Sequence, residues 1–173
     1  MRNWFQTYTG KAFYFTSFRP EDIDIRDIAH ALSFQCRFNG HCKQFYSIAE
    51  HSIRVAEILP NRLTLSGLLH DAAEAYFFDV SSPLKELPIF DEYRKMLVQC
   101  EEVIMNKYGE GWPMDDEIKH ADLVLRSTEK RDLMTPEPMS WGLLPEPLKE
   151  KIIPWDPEIT ERAFIRIFKQ LTK

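Results

Sequence analysis

The feature that most restricts this chain is a set of ionisable residues standing on apolar helical stripes. Ile48, His51, Val55, Ile58 and Leu59 recur at the spacing of one helix face, and so do Ile118, Ala121, Asp122 and Leu125. Between them lies the adjacent pair His70-Asp71, in a segment where Leu65, Leu68, Leu69, Ala72 and Tyr76 share a face. Such faces pack against other helices, so imidazole and carboxylate groups there lose water and need a partner. Taken singly, each has an ordinary explanation. A lone His on an apolar face is as often a hydrogen-bonded core residue, a buried Asp is more often a cap or an ion-pair partner, and a His-Asp dipeptide is common. Taken together, two imidazoles and two carboxylates form a mixed nitrogen and oxygen donor set that suits zinc, manganese, cobalt or ferrous iron.

The remaining pattern is largely helical. Trp4 to Phe15 is aromatic-rich and interrupted by Thr9-Gly10, which predicts a short hairpin. Pro20 with Glu21-Asp22 starts a helix running through Leu32. Arg37 to Gln44 contains Asn39-Gly40 and reads as a loop. Ser47 and Glu50 form a capping-box pattern that opens the His51 helix, and Pro60 ends it. The next helix is expected from about Leu63 to Phe77, with His70-Asp71 inside it. Ser81-Ser82-Pro83 marks a loop. Helices follow from about Ile89 to Tyr108, stopping at Gly109, and from an Asp115 or Asp116 cap through Asp122. Thr135 to Pro147, with four prolines and a glycine, is a long irregular loop. Asp156-Pro157 opens a last helix to about Leu171. The fold class is thus mostly α, a bundle of six to seven helices with a small N-terminal β-hairpin.

The length of 173 residues suits one domain, residues 1–173, with one core. No apolar run is long enough to span a bilayer, and Met1 to Gly10 lacks the apolar stretch of a signal peptide, so no membrane partner is expected and the expected location is cytoplasmic. Cys36, Cys42 and Cys100 lack CxxC spacing and read as reduced thiols. The net charge of -5 without a basic run argues against a nucleic-acid polymer as partner. It does not argue against a small phosphorylated ligand held by a metal and a few local cations.

Three segments carry a family resemblance: SIAEHSIRVA (Ser47 to Ala56), GLLHDAAEAYFFDVSSPLK (Gly67 to Lys85) and KHADLVLRSTEK (Lys119 to Lys130). In order and motif the chain resembles the HD-domain phosphohydrolase superfamily. It is most similar to small bacterial HD-domain 5'-deoxynucleotidases and to phage HD-domain deoxyadenosine triphosphohydrolases. The resemblance covers about residues 19–134, and residues 135–173 carry no motif of the family. It implies a single HD-type helical domain and a metal-dependent hydrolase of phosphoric esters or anhydrides. The implied ligands of a divalent ion (Zn, Co or Mn) are His51, His70, Asp71 and Asp122. Glu74 is the implied catalytic carboxylate and Asp79 a second acidic residue near the water. Arg37 and Lys85 are the implied phosphate contacts, and relatives form homo-oligomers.

The residues themselves support these roles and leave blander ones open. Glu74 follows Asp71 by about one helical turn, which places both on one face. It is equally readable as a surface Glu, Asp79 as a turn cap, and Arg37 and Lys85 as solvated cations. His41, in the Arg37 loop, and Arg19, before Pro20, are further candidates for phosphate. Phe38 and Phe77 (or Phe78) are candidates for base or sugar contacts, although aromatics are more often core. The first expectation is a small-molecule nucleotide substrate, dATP or another dNTP, yielding deoxynucleoside and tripolyphosphate. The near alternative is a 5'-deoxynucleotidase releasing phosphate from dNMPs. A non-catalytic metal- or nucleotide-sensing module is the remoter one.

Overall fold

The computed structural model describes residues 3–173; Met1 and Arg2, at the start of the expected span, lie outside the described residues. The aromatic N-terminus forms the expected hairpin. Strand β1 (Trp4–Gln6) pairs antiparallel with β2 (Ala12–Tyr14), Phe5 facing Phe13. Alternation along β2 turns Phe13 fully inward, where it stacks on Tyr76 at 4.4 Å and meets Phe77 edge-on. Phe77, expected as a base or sugar contact, is held among Phe13, Phe15, Phe18 and Tyr93, so its ring packs in the core and is nearly sealed from solvent.

Helix α1 (Ile25–Phe34) begins later than the Pro20 signal suggests. Pro20–Asp22 makes only one 3-10 turn. Asp24 then takes an extended backbone and accepts the amide of Arg26, which restarts the chain as a helix at Ile25. Helix α2 (Ile48–Ile58) starts where expected, with the Ser47 hydroxyl accepting the Glu50 amide at 3.0 Å. The reciprocal half of that capping box is absent. The buried Glu50 carboxylate turns instead to Arg54 and to the backbone amide of Trp155.

The helix expected from Leu63 to Phe77 is broken. Helix α3 (Thr64–Leu69) and helix α4 (Glu74–Phe77) are separated by a tightened turn with bonds from Ala72 N to Leu69 O and from Glu74 N to Asp71 O. A side-chain bond accompanies the break. In a continuous helix the Gly67 carbonyl would accept the Asp71 amide, but the His70 ring takes it through Nδ1 at 2.8 Å. The His70-Asp71 pair therefore lies between two helices rather than within one.

A single turn, α5 (Ser82–Lys85), stands where Ser81-Ser82-Pro83 reads as a loop, with Pro in its first turn. The long helices α6 (Asp91–Lys107), α7 (Asp116–Leu133) and α8 (Pro157–Leu171) follow. With α3 and α4 taken as halves of one helix, the described residues form a mostly helical bundle of about seven helices plus the hairpin. The core lies between α1, α2, α3 and α8, with Leu32, Ile48, Ile53, Leu68 and Phe164 all sealed from solvent. Helices α2 and α3 approach closely at Gly67, where an added Cβ would stand 3.3 Å from Ala56 Cα and collide with the Leu59 side chain.

Residues 134–156 form an irregular strap that runs back along α7. The Leu148 amide bonds to Thr128 Oγ1 and the Ile152 amide to Asp132 Oδ2, both at 2.9 Å. Arg131 adds bonds to the carbonyls of Leu148 and Glu150. Among the described residues no helix is long and apolar enough to cross a membrane. Cys36, Cys42 and Cys100 are free thiols.

Candidate metal centre

Helix α2, the α3–α4 turn and helix α7 bring their ionisable residues to one point. His51 Nε2 lies 3.3 Å from His70 Nε2, 3.6 Å from Asp71 Oδ2 and 3.1 Å from Asp122 Oδ1. His70 Nε2 lies 3.3 Å from Asp71 Oδ2. Two donors bound at about 2.1 Å to one ion stand roughly 3.0–3.4 Å apart at octahedral to tetrahedral angles. These separations are close to that range.

The ring nitrogens make the same point chemically. His51 Nδ1 bonds to Glu129 Oε1 at 2.6 Å and His70 Nδ1 to the Gly67 carbonyl at 2.8 Å. A carboxylate and a carbonyl only accept, so both Nδ1 atoms carry the hydrogen. In the neutral rings both Nε2 atoms then present lone pairs, facing each other across 3.3 Å. Two lone pairs cannot bond to each other, whereas a cation between them satisfies both, a metal ion or, in its absence, a proton held by His51. His51, His70 and Asp71 thus form a buried cluster able to hold a divalent metal ion, as a metal-dependent catalytic site requires. Asp122 stands against His51 and also touches Arg126, at 3.4 Å.

The charge balance of this corner favours cations. Burial and Arg37 push the His51 pKa down, but the carboxylates of Glu129 and Asp122 outweigh them and lift it to about 9. Burial opposes ionisation of Asp71 as well, yet His70, His51 and Arg37 hold it well below the usual carboxylate range. Glu74 goes the other way. Burial, then the charges of Asp71 and Asp79, raise its pKa well above normal. Its Oε1 accepts from Lys85 Nζ at 3.3 Å, while its Oε2 is buried without a partner among the described residues. Glu101 on α6 is pushed up to about 7 by burial and by the Asp71 charge.

A cavity of about 1010 Å³ opens beside the cluster, with Asp71, Glu74, Asp79, Lys85 and Asp122 on its wall. That is at the upper end of pockets that take small molecules, about 300–1,000 Å³. Phe38 and Arg37 also line it. Arg37, however, is not an open fork in a loop. It is buried, with Nε on Glu129 Oε2 at 3.2 Å and Nη1 on Asp71 Oδ2 at 3.5 Å. Two expected contacts are elsewhere. His41 is exposed at the end of the Arg37–Gly40 turn and is not on the cavity wall. Arg19 is exposed and pairs with Glu21 and Asp22, because the 3-10 turn after it folds those carboxylates back onto it.

Three residues of the site escaped the sequence reading. Glu129 is fully buried on α7 and bonds both His51 and Arg37. Its signal was present, since Glu129 follows Asp122 by two helical turns on the same stripe. Arg126 lies on the wall one turn after Asp122. Trp141, from the strap, also lines the cavity, and nothing in its local sequence points there.

No protein-family model matches the sequence. The chain is 38% identical over 93 residues to an uncharacterized protein of Rhodobacter capsulatus, an alignment that covers 49% of this chain and 47% of that one. It is 36% identical over 171 residues to the uncharacterized protein YfdR of Escherichia coli K12, covering 97% of this chain and 95% of YfdR. With an alignment that spans nearly the whole of both sequences, the chain belongs to the same protein family as YfdR.

Proposed function

We propose that the chain is an HD-domain metal-dependent phosphohydrolase that acts on deoxynucleotides. The observation that carries this reading is the pair of opposed Nε2 atoms of His51 and His70, flanked by Asp71 and Asp122, at a cavity where Glu74 and Lys85 meet. The order His, His-Asp-x-x-Glu, Asp along the sequence supports the HD assignment. His51, His70, Asp71 and Asp122 would hold the ion. A divalent ion so held supplies Lewis acidity and makes water a better nucleophile near neutral pH.

The chain's own residues supply the rest. Glu74, on the cavity wall with a raised pKa and a buried Oε2 that has no partner among the described residues, holds or moves a proton through its carboxyl group. Lys85 places a positive charge beside it, where charge on a phosphoryl group can be offset. Arg37 braces Asp71 and Glu129 and adds its field to the same wall. Asp79 contributes a second carboxylate there.

A deoxynucleoside monophosphate fits these residues best, with phosphate as the released product. His41 and Arg19, the residues suited to further phosphates, do not reach the cavity. The cavity's volume favours a second reading, a dNTP cleaved to deoxynucleoside and tripolyphosphate.

The test is turnover of metal-loaded protein on a panel of deoxy- and ribonucleotides, with phosphate, pyrophosphate and tripolyphosphate resolved. Deoxynucleotides should be preferred. Glu74→Ala should lower turnover at least about 100-fold while metal content stays unchanged. A panel without any hydrolysis, or equal rates on ribonucleotides, sinks the reading.

A further inference from the structure

The strap carries no motif, yet its tip brings a large aromatic ring to the wall that Glu74 and Asp122 share. Trp141 stands 5.7 Å from Phe38, centroid to centroid, with the ring planes tilted by 50°. Rings at that tilt are not stacked face to face, and Trp141 is 37% exposed, so part of its surface is open to a third ring. Trp141 is also held in place. Lys130 Nζ sits 5.7 Å from its centroid and pairs with Glu137 earlier in the strap at 2.5 Å. Gly142 follows at φ +88°, a turn that a side chain would strain, and its amide bonds to Ser140 Oγ.

Phe38 adds an independent observation. It adopts φ +54°, a left-handed backbone that is uncommon for a bulky residue, and the next residue, Asn39, repeats it at φ +52°. Strain of this kind persists where the surrounding structure enforces it, and it clusters at ligand sites. Here the strained residue is the one whose ring lines the cavity beside Trp141 and lies 5.3 Å from the Arg37 guanidinium.

We propose that Trp141 is the base-binding wall of this site. With Phe38 it takes the flat heterocycle of the nucleotide whose phosphate lies among Glu74, Lys85 and Asp71. Stacking on an indole is tolerant of base identity and grows with ring area, so purine deoxynucleotides bind more tightly than pyrimidine ones. The inference rests on the deoxynucleotide reading above and names the determinant of its substrate preference.

The experiment compares wild type, Trp141→Ala and Trp141→Phe, each metal-loaded, on the deoxyadenosine nucleotide that wild type turns over. Trp141→Ala should raise KM about tenfold and change kcat less than about threefold, since stacking holds the base and does no chemistry. Free deoxyadenosine should lose potency as a competitive inhibitor in parallel. Trp141→Phe should restore KM to within about threefold of wild type, because a ring remains. An unchanged KM in Trp141→Ala overturns the inference and leaves the proposed function standing. So does a fall in kcat alone. A wild-type protein inert on every nucleotide overturns both.

Discussion

The residue on which most depends is Glu129. It is sealed from solvent and holds the ring of His51 on one oxygen and the guanidinium of Arg37 on the other. Glu129→Gln keeps the shape but loses the charge, so metal affinity should fall about 10–100-fold in a competition titration. Glu129→Ala strands Arg37, and a urea melt should show a loss of about 3–5 kcal/mol. Melts that overlay wild type would contradict the role. Glu101 gives a pH-dependent test. Its carboxyl titrates at about 7 in the fold, against 4.5 in an unfolded chain. Between those values the folded chain holds a proton that the unfolded chain has lost, so stability drops as pH rises through that window. In metal-free protein, Glu101→Gln should therefore be more stable than wild type at pH 8, by about 1–2 kcal/mol once its partial exposure is discounted. The two should match at pH 4, and a constant gap across pH would refute the assignment. At this scale the sequence was readable where an ionisable group interrupts an apolar stripe, which exposed His51, His70, Asp71 and Asp122. It was unreadable where direction matters. Phe77 and Phe38 are both aromatic neighbours of site residues, and only the backbone decides that one faces the core and the other the cavity.

At the scale of elements, the site depends on a break in a helix. Helical periodicity predicts one element from Leu63 to Phe77 because a 3-10 turn barely disturbs the spacing of apolar residues. The break carries a bond from a side chain to the backbone, His70 Nδ1 to Gly67 O, and periodicity does not record such bonds. Gly67 serves twice, lending that carbonyl and letting α3 pack against α2. Gly67→Ala should cost about 1–3 kcal/mol through overpacking against Ala56 and Leu59, despite the better helix propensity of Ala. Trimming the neighbour relieves the clash, so Gly67→Ala with Leu59→Ala should cost less than the sum of the two single losses. Strict additivity of the two would argue against contact between them. The caps were readable, since Ser47 and Asp115 act within their own turn. The partner of Glu50 was not, being Trp155, 105 positions away.

At the scale of the whole molecule, the cluster ties together three elements that are distant in sequence: α2, the α3–α4 turn and α7. A ligand that binds only the folded arrangement stabilises all of it. At a hundredfold excess over Kd, a divalent ion should add about 2.7 kcal/mol. Chelator should therefore lower the melting temperature of wild type and leave His51→Ala unmoved. Equal shifts in both proteins would show that the ion stabilises from some other place. The bundle and the hairpin were readable from periodicity and turn residues, whereas the course of the strap was not, because its polar contacts with α7 follow no repeat.

The bond between Glu50 and the Trp155 amide also bears on how the protein is made. A ribosome delivers α2, the cluster and α7 well before Trp155 and α8 exist. Until then the Glu50 carboxylate lacks the amide that meets it in the finished fold, and the face of α1 that α8 covers lies bare. Every group of the cluster is present on the nascent chain, but the core that fixes their spacing closes only when the final helix docks. Synthesis thus delivers the ligands of the site before the helix that packs against α1, α2 and α3.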